Sequence, residues 1–354
     1  MSAYWSPATF NYFTDFKGKP MNKLKNTLLT ACLLTLAQGA QAAEVNLRFV
    51  HFWPAQSAIG KHWQAWAKSV EAVSNNRIKV EVYPSQTLAK APKIYDAVIS
   101  GIADIGVTAQ GYTANRFPLT QIVELPGQTK SSTHGSCLVQ TLLADGAINQ
   151  EYDESHPLFV FTTGPNYLHS KGKAVRTPDD LRGLRIRRPT AVVSELLADA
   201  GSQPVGMPAP QTYQSMSRGV IDGGILSWEG AKAFRLNDLA DHHTEFNFNT
   251  LSLVMTMNKQ TYNGLPDDLR QVIDNHAGLT WAIKSGEVMD AEDTVGREQA
   301  VAQNQTIITI ENGINNPQWK EFVDRATNNY LDQVGGPARN VYLQMQKLSK
   351  TCKI

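Results

Sequence analysis

An α/β fold in two lobes is what the sequence predicts, on three observations. Strand, helix, strand, helix and strand patterns succeed one another within about 65 residues from Val45, which calls for a parallel sheet covered by helices. The same theme restarts at Leu158. No repeat, low-complexity tract or flexible linker separates the two halves, so ordered segments join them, which is the build of a hinged clamp.

Val45–Val50 alternates as a first strand. Ile59, Trp63, Trp66, Val70 and Val73 then fall at helical spacing, in a helix that starts near Ser57 and ends at Asn75-Asn76. Arg77–Tyr83 alternates strictly and stops at Pro84. A helix through Ile94–Ser100 leads past Gly101 into a short buried strand, Ile105–Thr108. In the second half Leu158–Thr162, Leu184–Arg187 and Ile225-Leu226 read as strands and Val192–Ala200 as a helix. Leu251–Met257 is a long apolar run suited to a buried strand passing between domains. Pro266 introduces one long helical stretch, about Asp267 to Asn304, broken only by Gly278, Gly286 and Gly296. Asn316-Pro317 precedes a last helix, Gln318–Gly335.

Residues 21–42 have the layout of an export signal. Lys23 and Lys25 form a positive start, Leu28–Leu36 is mostly apolar, and Ala40-Gln41-Ala42 supplies a small-residue cleavage pattern. The apolar run is far shorter than the roughly 20 residues of a membrane-spanning helix. Met21 then reads as the initiator and residues 1–20 as a mis-called leader. Leu29-Thr30-Ala31-Cys32 also passes as a lipoprotein box, which would tether the protein through Cys32.

Without residues 1–42 the chain keeps 312 residues, enough for two domains. It loses four basic residues and one acidic one, leaving 29 against 31. That balance excludes an electrostatic pull toward nucleic acid, and no later apolar segment is long enough to span a bilayer. Cys137 and Cys352 remain. An oxidising compartment permits them to pair, tying the C-terminus to the helix carrying Cys137, or they stand as lone thiols.

Enzyme signatures are missing: no glycine-rich phosphate loop, no nucleophile elbow and no H-E-x-x-H. Adjacent His242-His243 point opposite ways on a strand and do not suit a shared metal. Neither a catalytic residue nor a cofactor is expected. The informative segment is Thr177–Arg187, TPDDLRGLRIR. Thr177-Pro-Asp-Asp starts a single helical turn, Gly183 ends it, and Leu184–Arg187 runs out along a strand with Arg185 and Arg187 on one face. An arginine at the C-terminal end of a parallel strand points into the crevice where α/β sheets bind ligands, and its planar fork grips a carboxylate. By periodicity alone, a surface ion pair explains such an arginine as well.

Thr177–Arg187 resembles the P-x-D-L-[KR]-G-[LM]-[KR]-[IM]-R signature of the substrate-binding proteins of TRAP transporters (tripartite ATP-independent periplasmic transporters). Ile78–Pro84, Tyr95–Ile105, Val123–Pro126 and Tyr213–Gly223 resemble further family segments in the family's order. The resemblance implies a two-lobed periplasmic binding protein with a ligand cleft between lobes and a long helix spanning both. It also implies delivery of a small organic acid to TRAP membrane permease subunits, with Arg187 holding the carboxylate. The lobes would comprise 43–163 with about 251–285, and 164–250 with about 286–354.

Two departures narrow the ligand. Family members for sialic acid and C4-dicarboxylates carry a second arginine about 20 residues earlier, where this chain has Gly164-Pro165-Asn166-Tyr167-Leu168-His169. The family's polar D-G-Q-E-N-P turn is here Asp222-Gly223-Gly224-Ile225-Leu226-Ser227-Trp228-Glu229. Both resemble a branch that takes aromatic or 2-oxo monocarboxylates, so a monocarboxylate is expected, with a C4-dicarboxylate as the alternative. Trp53, Tyr112 and Trp228 follow strands and are candidate aromatic walls, or core residues. Asn166, Tyr167 and His169 are candidate hydrogen-bond partners of the ligand. Glu229 receives a ligand hydroxyl or ion, or caps a helix start, with the cap favoured, and Arg116 is a second candidate cation that reads better as structural. A periplasmic enzyme using the same cleft is the rival reading, with His169 and Ser170 its base–nucleophile pair.

Overall fold

The computed structural model describes residues 43–352; the leader, the export signal and Cys32 lie outside the described residues. Two sheets carry the fold. The first has the order β2-β1-β3-β10-β4, from β1 (Val45–Val50), β2 (Ile78–Tyr83), β3 (Ile105–Ala109), β4 (Ser155–Thr162) and β10 (Ser252–Asn258). β1 pairs parallel with β2 and β3, as the strand–helix–strand pattern requires, while β10 runs antiparallel between β3 and β4. Helix α1 (Ala58–Val73) begins on Ser57, whose hydroxyl accepts from the Gly60 N–H, and packs Trp63 and Trp66 against Phe49. α2 (Ile94–Ile99) and α3 (Ser132–Ala144) complete this lobe's cover.

The second sheet has the order β11-β9-β5-β8-β6-β7. Its strands are β5 (Asn166–Ser170), β6 (Arg185–Arg188), β7 (Gln203–Gly206), β8 (Gly223–Leu226), β9 (His242–Asn249) and β11 (Thr306–Thr309). Its core gathers Leu168, Ile186, Ile225, Phe246 and Phe248 around Trp319, which stacks on Phe246 at 4.5 Å. Three short helices follow its strands: α4 (Ser194–Asp199), α5 (Thr212–Ser217) and α6 (Trp228–Ala233).

The chain crosses between sheets after β4 and again after β9, and the two crossings are bonded together. The Thr163 N–H donates to the Leu251 carbonyl, and the Thr250 hydroxyl donates to the Thr163 carbonyl. After α7 (Lys259–Asn263), the single helix expected from Asp267 to Asn304 is two: α8 (Asp267–Asp274) and α9 (Gly278–Ala302). Gly278 takes φ +70°, and the His276 carbonyl accepts from the Trp66 indole instead of from a helical N–H. α9 is the element shared by both lobes. Its Asp290 accepts from the Ser132 and Thr133 N–H groups at the start of α3. Its Asp293 accepts from the Glu229 N–H at the start of α6. No helix among the described residues is long and apolar enough to cross a membrane.

Two glycines let α9 approach that closely. A Cβ at Gly286 would meet the Thr133 backbone at 2.7 Å, and one at Gly296 would meet the Trp228 carbonyl. Alanine at either site gains about 1 kcal/mol of helix propensity but forces the helix off a backbone that cannot fold away. Gly286→Ala and Gly296→Ala are therefore expected to lower stability by about 1–3 kcal/mol, read as a lower urea midpoint. A raised midpoint would show that the close approach is not needed.

The last two helices are α10 (Lys320–Val334) and α11 (Ala338–Leu348). Residues beyond Gly335, expected with the second lobe, pack against the first. Ala338, Val341 and Met345 join the cluster of Leu138, Val139 and Leu142 on α3. A disulfide between Cys137 and Cys352 fastens that tail, with the Cα atoms 5.9 Å apart.

Candidate functional site

The Thr177–Arg187 segment folds as its residue types dictate. Thr177 and Asp180 form a capping box around the turn Pro178–Leu181, and Gly183 takes φ +76° to release the chain into β6. Arg185 is spent on structure: its backbone N–H and its guanidinium both bind Asp222, just ahead of β8. That fork ties the start of β6 to the start of β8.

Arg187 differs. It is 1% exposed, and no acidic side chain among the described residues pairs with it. Its Nε donates to the Met207 carbonyl at 3.0 Å and its Nη1 to the Ile225 carbonyl at 2.6 Å. Its Nη2 has only the Tyr112 hydroxyl, at 3.5 Å. Burial pulls its pKa down, yet a guanidinium stays charged in a protein. A buried cation held by dipoles alone is costly and calls for an anion.

Arg187 opens on a narrow, partly enclosed cavity of about 30 Å³ between the lobes. Phe52, Trp53 and Leu251 form the wall from the first lobe, and Leu226, Phe234 and Pro189 that from the second. Phe52 stacks on Trp53 with ring centres 3.9 Å apart and lies 6.3 Å from Phe234. Asn166, Thr163, Ser227 and Glu229 supply polar atoms, and among the described residues Arg187 is the one cation lining the space. An apolar cleft with few polar groups suits a small ligand with one charged end.

Two contacts hold the lobes together beside Arg187. The Tyr112 hydroxyl accepts from the Ala209 N–H at 2.9 Å, and the Thr190 hydroxyl donates to buried Glu124 at 2.7 Å. Glu124 also accepts from the backbone and hydroxyl of Ser252.

The structure thus brings together Arg187, Trp53 and Asn166, with Tyr112 bridging the lobes at their edge. It does not bring in Tyr167, His169 and Trp228. Successive residues of a strand face opposite ways, so Asn166 turns to the cleft and Tyr167 and His169 turn from it. His169 is buried, with Nε2–H donating to the Leu226 carbonyl and Nδ1 2.7 Å from His243 Nδ1. Burial holds both imidazoles below their usual pKa. Trp228 covers this pair, with ring centres 4.9 and 4.7 Å away, and donates to Glu245. Tyr167 lies with Trp228 in a separate recess along α9. Arg116 lies over the Tyr95 ring and pairs with Glu154, as a structural cation.

Sequence reasoning passes over Phe52 and Phe234 and leaves Glu229 between a helix cap, the favoured reading, and a group that receives a ligand hydroxyl or ion. Glu229 does begin α6, but Ser227 caps that helix and the Glu229 carboxyl lines the cleft. Burial, with Asp293 and Glu292 nearby, pushes its pKa up to about 8. The signal for Phe52 in the sequence is its place beside Trp53 in the loop after β1.

The family model for bacterial extracellular solute-binding proteins, family 7, matches residues 49–333. A TRAP solute binding protein from Rhodoferax ferrireducens, crystallised with copurified benzoate, superposes with TM-score 0.82. It is 32% identical, over 87% of this chain and 98% of that one. A marine metagenome TRAP solute binding protein, specific for aromatic acid ligands and crystallised with 3-hydroxybenzoate, gives TM-score 0.81. It is 31% identical, over 88% of this chain and 100% of that one. The C4-dicarboxylate-binding periplasmic protein of Rhodobacter capsulatus is 25% identical over 252 residues, covering 68% of this chain and 73% of the relative.

Proposed function

Since this chain belongs to family 7 of the bacterial extracellular solute-binding proteins, the TRAP receptors of small acids, we propose that its cargo is an aromatic monocarboxylate. The carboxylate lies on the free edge of Arg187, and the ring lies between Phe52 and Trp53 on one side and Phe234 and Leu226 on the other. The receptor, exported to the periplasm by a cleaved signal, hands this cargo to TRAP permease subunits.

The observation that carries the reading is a buried arginine that pairs with no acid, in a cleft with aromatic walls and no second cation among the described residues. A C4-dicarboxylate would bring a second negative charge into that apolar space without a partner, which is costly. The benzoate and aromatic-acid complexes of the two similar proteins support the same class.

A thermal-shift series tests it on the mature protein, with benzoate, phenylacetate, phenylpyruvate, succinate and malate. Ligand bound only to the folded state stabilises it by about 2.7 kcal/mol at a hundred times Kd. Aromatic acids are expected to raise Tm by several degrees and the dicarboxylates by less than one degree. A larger shift with succinate or malate overturns the aromatic reading.

A further inference from the structure

Inside the cleft, one carboxyl group has no structural work. Glu229 is 3% exposed, and its side chain makes no hydrogen bond of good geometry with the described residues. The duties expected at a helix start are filled by others. The Ser227 hydroxyl accepts from the Gly230 N–H, and Asp293 accepts from the Glu229 N–H at 2.5 Å. Those bonds fix the backbone of Glu229 while leaving its carboxyl to the cavity.

A second buried polar group in the same cavity is also unpartnered: the Trp53 indole N–H. It faces the Glu229 carboxyl and lowers its pKa as a hydrogen-bond donor, though the bond falls short of good geometry. A donor and a carboxyl that pair only loosely with each other fit a hydroxyl, which accepts from the indole N–H and donates to the carboxyl. Glu229 also borders a neighbouring recess, with Lys61 and the Lys232–Glu292 ion pair, that does not reach Arg187. The carboxyl therefore marks the side of the cleft away from the cation.

We propose that Glu229, with the Trp53 indole, selects among aromatic acids by hydrogen-bonding a hydroxyl on the ring of a ligand whose carboxylate lies on Arg187. This rests on the aromatic-monocarboxylate reading. The surroundings of Glu229 suit that role, since burial and the acids Asp293 and Glu292 push its pKa up to about 8, with the Trp53 indole and then Lys232 opposing them more weakly. A neutral carboxyl can both donate and accept, and its burial does not repel the ligand's anionic end. A site built to bond a hydroxyl discriminates strongly against an analogue that lacks it.

The test is calorimetric titration of the mature protein with 3- and 4-hydroxybenzoate and the corresponding methylbenzoates, which differ only by methyl for hydroxyl. For at least one position, the wild type is expected to prefer the hydroxyl form by tenfold or more. Glu229→Leu should bring that ratio below threefold, Trp53→Phe should reduce it several-fold, and Glu229→Gln should keep most of it. A wild type that binds methyl and hydroxyl forms alike overturns the proposal, whether or not the leucine variant folds. So does a leucine variant that retains the full ratio. If benzoate and the methylbenzoates bind while the ratio is flat, the aromatic reading stands and the role of Glu229 falls. If none of these aromatic acids binds, both fall.

Discussion

Arg187→Met is expected to weaken benzoate binding by about 30- to 3000-fold, measured by calorimetry. Truncating one partner of a buried, hydrogen-bonded charge pair costs about 2–5 kcal/mol, and each 1.4 kcal/mol is a factor of ten. Arg187 sits at the high end of that range, because its two carbonyl bonds fix the fork before ligand arrives. Lysine at this position keeps a charge but not the planar fork, so Arg187→Lys should recover only part of the loss. The free protein supplies the control. An unpaired buried cation is itself destabilising, so Tm without ligand should change little while the ligand-induced shift disappears. A loss below threefold in a folded Arg187→Met variant would place the carboxylate elsewhere.

Breaking the Cys137–Cys352 bond is expected to cost about 2–5 kcal/mol of stability and to lower Tm by roughly 3–10 °C. The bond closes a loop of 215 residues, and the entropy it removes from the unfolded chain grows with loop length. It also holds α11 on α3, where Val341 and Met345 meet Leu138 and Leu142. The double variant Cys137→Ser, Cys352→Ser should melt lower than the oxidised wild type, while reductant leaves its Tm unchanged. Benzoate affinity should stay within about threefold, because neither cysteine lines the cleft. Equal melting of the oxidised wild type and the double variant would refute a structural role for the bond.

Local pattern made much of the fold legible. Strict alternation marked β2, tryptophans three residues apart marked the buried face of α1, and Thr177-Pro-Asp-Asp with Gly183 announced the turn that launches Arg187. What stayed hidden depends on distant partners. The break before α9 needs Trp66 to take the His276 carbonyl, a contact 210 residues apart in sequence. Which face of β5 meets the cleft follows from its pairing with β8 and β9, which turns Asn166 toward it and Tyr167 and His169 away. Trp228 followed a strand as expected, but the first turn of α6 swings it onto the histidine pair. For Glu229 the sequence leaves a helix cap and a ligand contact both open, and only tertiary packing turns its carboxyl inward. The place of β10 was equally out of reach, because strand order across a sheet is a non-local fact.

That place of β10 decides in what order the molecule can be finished. β4, at the edge of the first sheet, bonds to no strand but β10. A chain emerging N-terminus first carries an empty slot beside β3 until residue 258 is free. By then every strand of the second sheet except its edge strand β11 has been strung out. Joining β3 to β10 spans more than 140 residues, a non-local step of the kind that slows folding. A fragment ending at residue 163 would lack the strand that binds β3 to β4, and should not fold by itself. The first sheet closes only after five of the six strands of the second have been strung out.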